Sequence, residues 1–220
     1  MTSGNGIGDG AVSAAQCLDE ALGSLVSSFV HNLNNYLVGI LGNIDLAGLY
    51  PDDPVNSTAR IADARKATMK IRDFLSELVR YRPRDGDWSP ESVLDTAAVA
   101  RLACGRSMSL ETEGTGDLPD SLPVPDTAFR AVLLGLLSWA VRSLAGAGSI
   151  RLLVGVRPDA VELTVSWERI GGPGTDDMPV PVGTATWVEP LASGEGMTLR
   201  MGDAGPGYGS ATLSVPRGGP

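Results

Sequence analysis

No proline occurs between Val12 and Leu49, and apolar residues recur through that stretch at steps of three and four: Leu22, Val26, Phe29, Leu33, Leu37, Ile40 and Ile44. Steps of that size draw one apolar stripe along an α-helix, so this segment is committed to a single long amphipathic helix. Pro51 and Pro54 end it, with Asp52 and Asp53 forming the turn. A second periodic run follows, Ile61, Ala64, Thr68, Ile71, Leu75 and Leu78, and stops near Tyr81 ahead of Pro83 and Gly86. Two long helices joined by a short turn make an antiparallel hairpin. One hairpin cannot cover both of its apolar stripes, so the pattern predicts pairing with a second copy into a four-helix bundle, a homodimer.

Beyond the hairpin the texture changes. Residues 83–90, "PRDGDWSP", read as a linker. Glu91 to Cys104 reads as a helix with Ser89 as N-cap before Pro90, and "SMSLETEG" (107–114) as a strand. Asp126 to Leu144 is a strongly apolar helix, with Asp126 expected as N-cap and Gly146 near its end. "SIRLLVGV" and "VELTVSW", joined by "RPDA", fit a β-hairpin. The Gly/Pro-rich stretch 171–183 reads as a loop, where Gly171, Gly172 and Gly174 are turn residues, and "GYGSATLSVPR" as a last strand. The expected class is α+β: an N-terminal antiparallel helical hairpin, then an antiparallel or mixed sheet with apolar helices on one face. The expected division is a disordered Gly/Ser-rich leader over 1–11, the hairpin over 12–85 and the sheet-bearing domain over 86–220.

The net charge of −9 argues against nucleic acid as a partner. No stretch is apolar and long enough to cross a bilayer, and the N-terminus has no signal-peptide core, so a cytoplasmic location is expected. Cys17 and Cys104, the two cysteines, make neither a disulfide framework nor, with one histidine, a structural zinc site. They read as small apolar residues. Residues 1–59 carry no Lys or Arg, whereas Arg60, Arg65, Lys66, Lys70, Arg72 and Arg80 crowd the second helix. That is either a solvated helix face or a docking surface for an acidic partner.

His31 is the single histidine, and Asn32, Asn34 and Asn35 follow it. It lies two residues from both Phe29 and Leu33, roughly 200° around the helix from each, which points the imidazole away from the apolar stripe into solvent. Asn34 and Asn35, at i+3 and i+4, share that face. Mid-helix asparagines do little for helix stability. The cluster is either a tolerated polar surface or a reactive site. A neutral imidazole is a competent nucleophile near physiological pH, and attack on a phosphoryl group yields a phosphohistidine able to pass the group to a carboxylate. Such chemistry needs exposure and in-line approach.

The stretch "FVHNLNNYLVGILGNIDLA" resembles the H-box of two-component histidine kinases, and the hairpin around it resembles their dimerisation and histidine-phosphotransfer domain. "AVLLGLLSWAVRSLAGAGSIRL", "VELTVSW" and "GPGYGSATLSVPR" are similar in layout to the ATP-binding domain of the same family. The resemblance places the phosphorylation site at His31. It places the magnesium-holding asparagine at Trp139, with Gly135 four residues before it, and the adenine-reading aspartate at Trp167. "WERIGGPG" lacks the family's DxGxG, and "GEGMTLR" (194–200) is a remnant of its phosphate-binding Gly box. The residue after the histidine, often acidic in the kinases, is Asn32, which cannot act as a base. Asn35 stands where the family keeps an amide or hydroxyl able to position water.

Features for self-phosphorylation from ATP are thus missing together, while those for His–Asp exchange remain. That combination resembles the dimeric histidine phosphotransferases of bacterial phosphorelays, whose kinase-type domain is degenerate. The resemblance implies response-regulator receiver domains as partners, His31 and Asn35 as catalytic residues, and no cofactor of its own, magnesium being supplied by the receiver. Asn32, Asn34, Lys66 and Lys70 are the expected docking residues, with Leu33 and Tyr36 as apolar contacts. Trp139 and Trp167 are expected to fill the vacated nucleotide cavity. Alternatives are a dimeric pseudokinase scaffold, a response-regulator phosphatase, or an active histidine kinase.

Overall fold

A computed structural model of the chain describes residues 13–81, 86–144, 146–170, 186–203 and 207–218. The leader, most of the 83–90 linker's first half and the 171–183 loop with its glycines lie outside the described residues.

Helix α1 runs Ala14–Leu49 and α2 runs Pro54–Arg80. Ser13 and Gln16 close a reciprocal capping box at the start of α1, with bonds of 3.2 Å and 3.0 Å. Asp53 caps α2 by accepting from the Val55 and Asn56 amides at 3.2 Å and 3.1 Å, and Pro54 sits where no amide is required. The backbone and side-chain bonds from Asn56 hold the Asp53 carboxyl below its ordinary range. Phe29 meets Phe74 edge-to-face at 5.8 Å and fixes the two helices in antiparallel register.

The rest of the chain is α3 (Pro90–Ala103), β1 (Met108–Glu113), α4 (Asp126–Ser143), β2 (Gly148–Val156), β3 (Ala160–Glu168), α5 (Val188–Gly194), β4 (Thr198–Met201) and β5 (Tyr208–Pro216). The five strands form one mixed sheet in the order β1-β2-β3-β5-β4, with β1 parallel to β2 and every other pair antiparallel. A parallel pair needs a crossover, and α4 supplies it. Period-2 alternation sends Ile150, Leu152, Leu163, Val165, Leu213 and Val215 inward, while Arg151, Thr164, Ser166 and Thr212 face out. The α+β class and the mixed sheet match the sequence expectation. α5 and β4 were not anticipated: the first is a short seven-residue helix and the second a four-residue edge strand.

Helix α4 is apolar all round, and fifteen of its eighteen residues are buried, so it has to be covered on every side. The sheet, α3 and α5 cover three sides, and the N-terminal half of α1 covers the fourth. This shifts the buried stripe of α1. Cys17, Leu18, Ala21, Leu25 and Phe29 are its core residues, whereas Val26, Leu37 and Ile44 of the expected stripe are 50%, 48% and 53% exposed. The core therefore runs without a break from α1 to β5.

Asp126 is not the N-cap of α4. Pro125 holds that position, and Asp126 is the first helical residue, buried with its carboxylate turned inward. Its partner is the fully buried Arg130, whose Nε donates to Asp126 Oδ2 at 2.6 Å and whose Nη2 reaches Asp95 Oδ2 at 3.3 Å. Ser92 donates to the other Asp126 oxygen. The guanidinium also lies 5.3 Å over the Tyr81 ring, and Arg80 reaches Asp95 at 3.2 Å. Burial pushes the Tyr81 phenol up to about 12. This cluster locks the end of α2 onto α3 and α4. Arg130→Ala leaves the Asp126 carboxylate buried without its ion-pair partner, and a loss of about 3–5 kcal/mol in the free energy of urea unfolding is expected.

Candidate functional site

Helix phase predicts an exposed His31, and its side chain is exposed. It lines a groove of about 790 Å³ between α1 and the sheet-bearing half. The α1 wall is Ser28, His31, Asn35 and Val38; the facing wall is Gly105, Arg106 and Ser107 at the α3–β1 turn, with Arg142 at the end of α4. Asn35 is exposed beside His31, one helical turn on. Asn34 is exposed as well but lies outside this groove.

Asn32 behaves otherwise. It is 8% exposed. Its Nδ2 donates to the Leu102 carbonyl at 2.9 Å and to the Cys104 carbonyl at 3.2 Å. Both hydrogens of the amide are spent, so the docking role expected for Asn32 gives way to a structural one. The helix phase explains this: Asn32 lies about 60° from Phe29, on the flank of α1 that faces α3. The carbonyls it meets are the last of α3, which have no intrahelical partner.

Four other expected docking residues lie away from this groove. Lys66 is exposed and paired with Asp63 at 3.0 Å, and neither it nor Lys70 lines the groove. The helix phase is the cause: Phe29 packs on α2 and His31 points about 200° away from it. The cationic residues that line His31's groove are instead Arg106 and Arg142. Leu33 and Tyr36 are half-buried, with Leu33 packed on the core, while Val38, 69% exposed, is an apolar residue of the groove's α1 wall. Val38 was legible as i+7 from His31; Arg106 gave no local signal.

The positions that the kinase resemblance assigns to nucleotide are filled by apolar packing. Trp139 on α4 and Trp167 on β3 are 6% and 4% exposed, with ring centroids 4.8 Å apart. Gly135 leaves room for Trp187: a Cβ there would stand 2.8 Å from the indole and 2.8 Å from Val188. Residues 194–200 close α5 and run into β4. Among the described residues, no group of three or more His, Cys, Asp or Glu side chains is placed to hold a metal ion. No helix among the described residues is long and apolar enough to cross a membrane. Burial raises both thiols, Cys104 to about 11, which keeps them protonated and unreactive.

No protein-family model matches the chain, and no curated protein matches it. Among solved structures, the histidine kinase ThkA in complex with the response regulator TrrA is similar at 15% identity and a TM-score of 0.47, over 90% of this chain and 63% of that one. The Acinetobacter baumannii histidine kinase AdeS is similar at 16% identity and a TM-score of 0.44, over 88% of this chain and 98% of that one. A bacterial phosphotransferase is similar at 12% identity and a TM-score of 0.43, over 94% of this chain and 98% of that one. Likenesses this distant carry no residue role over to this chain.

The Asn32 contacts predict a pH-dependent variant. Asn32→Asp aims a buried carboxylate at two carbonyl oxygens and should cost about 1–3 kcal/mol in urea unfolding at neutral pH. The introduced group has a raised folded pKa, so the deficit is complete at neutral pH. It shrinks as pH falls toward about 4, where the protonated acid donates one bond again.

Proposed function

We propose that this chain is a histidine phosphotransferase that moves a phosphoryl group between His31 and the aspartate of a receiver domain, without binding ATP. The observation that carries the reading is the pairing of an exposed His31 in a groove with cationic residues and packed indoles where a nucleotide would be read. The unprotonated imidazole nitrogen attacks the phosphorus of a phosphoaspartate in line. The N–P bond forms as the P–O bond breaks, and the carboxylate leaves with the electron pair. The reverse step hands the group to a second receiver. The protein contributes positioning and charge, as phosphoryl transfer requires, and the receiver brings the magnesium. Asn35 orients water at the same groove, which adds slow loss of the phosphoryl group to solvent.

The working unit in this reading is a homodimer. Val26, Val30, Leu37, Leu41 and Ile44 on α1, and Ile61, Leu75 and Val79 on α2, are between 46% and 64% exposed. The α1 set falls within an arc of roughly 60°, on the flank opposite α4. Burying it against a second copy builds a four-helix bundle and leaves His31 outside the seam. Asn34, Lys66 and Lys70, exposed on the hairpin, remain in this reading as contacts for an acidic receiver.

Two measurements test the proposal. A receiver domain charged with radiolabelled acetyl phosphate should label the wild-type chain and leave His31→Ala unlabelled. Absence of label on wild type, or equal label on both, rejects the phosphotransfer reading, and magnesium-dependent ATP binding by calorimetry rejects its nucleotide-free part. Separately, wild type should sediment as a dimer, and Leu41→Glu combined with Ile44→Glu as a folded monomer. A monomeric wild type removes the bundle.

A further inference from the structure

The hairpin resemblance accounts for one wall of the groove and says nothing of the other. The second wall is a turn, Gly105–Arg106–Ser107, by which the sheet-bearing half lines the same groove as His31. It is held at both ends. On the α1 side, Asn32 donates to the carbonyls of Leu102 and Cys104 at 2.9 Å and 3.2 Å. Gly105 passes so close that a Cβ on it would lie 3.6 Å from Asn32 Oδ1. On the sheet side, the Met108 amide donates to the Gly105 carbonyl at 3.2 Å, and the Gly148 amide donates to the Ser107 carbonyl at 2.9 Å. Arg106 stands at the crest of this turn. Its side chain is exposed, and it forms no ion pair with any described residue.

A guanidinium presented by a clamped backbone, in the same groove as a nucleophilic imidazole, is suited to a dianionic, planar-faced group. We infer that Arg106 binds the phosphoryl oxygens during transfer at His31, and that Asn32 is a positioning residue that holds the Arg106 turn against α1. The inference rests on the phosphotransfer reading and deepens it. It also gives the amide at position 32 a physical reason: a carboxylate there would repel both carbonyls and release the turn, so an acid after the histidine and this second wall exclude each other. Arg106 meets the charge shared among the three equatorial oxygens as the aspartate P–O bond breaks and the His31 N–P bond forms. It takes no proton and forms no bond. A preorganised cation aimed at that charge lowers the barrier more than a mobile one.

The test uses the full chain and a receiver domain charged with acetyl phosphate, with the second-order transfer rate read across a range of salt concentrations. Arg106→Ala should slow labelling by about tenfold or more, as loss of a charge-assisted contact predicts, and should flatten the salt dependence. Arg106→Lys, which keeps a point charge but not the fork, should fall between the two and keep the wild-type slope. Arg157→Ala, an exposed charge change paired with Glu162 in the β2–β3 turn, at the end of β2 away from the Gly105–Ser107 turn, should behave as wild type. Asn32→Ala, which frees the turn while leaving the charge, should slow transfer and keep the wild-type salt slope. Wild-type label with an Arg106→Ala rate and slope equal to wild type overturns the inference and leaves the phosphotransfer reading standing. Equal rates for Asn32→Ala and wild type overturn the positioning role. No label on wild type at all rejects the underlying reading itself.

Discussion

Helix α4 has no polar side to offer water, and that single constraint organises the molecule. An apolar surface around a whole helix is stable only when it is enclosed. The sheet can shield one side, and α3 and α5 two more. The remaining side is closed by the N-terminal half of α1, through Cys17, Leu18, Ala21 and Leu25, each with no exposed surface. The hairpin is therefore joined to the sheet by core packing. The Arg130 cluster reinforces the join at the other end, where Arg80 of α2 and Tyr81 just after it meet Asp95 and Thr96 of α3. Charges this deep are held by mutual pairing, since an unpaired one would be far costlier than the pair is favourable.

Fixing α1 against α4 sets the rotation of α1, and the rotation distributes its faces. One flank is spent on α4 and α3, the inner face on α2, and the far flank is left apolar and exposed. His31 falls between the α3 flank and open solvent. An imidazole that a bare hairpin would leave on a convex surface is set instead in a groove with a second wall. The groove is a consequence of how two halves pack, and it would not exist in either half alone.

The same packing explains the indoles. Trp139 on α4 and Trp167 on β3 meet, Gly209 makes room for Trp167, and Gly135 makes room for Trp187 at the start of α5. Burying aromatic rings there is stabilising through the area removed from water. One chain thus combines packed indoles beside α4 with arginines lining the histidine's groove.

Much of this was legible in the residues. Spacing of three and four gave both hairpin helices, and period-2 alternation gave β2, β3 and β5, because backbone geometry alone converts such patterns into faces. The phase of His31 relative to Phe29 and Leu33 put it in water for the same reason. The short α5 and β4 carried too few residues for any period to register. Which stripe of α1 the chain buries within itself was not legible, since Val26, Leu37 and Ile44 are as apolar as Leu18 and Leu25 and only the position of α4 separates them. Asn32 and Arg106 mark the limit most clearly. By itself the sequence determined that the residue after His31 is an amide and that an arginine follows a glycine some seventy residues on. Only the tertiary structure decided that the amide fastens that turn and that the arginine lines the histidine's groove. Helical phase is a local property of the backbone, whereas contact between residues so far apart depends on how whole elements pack.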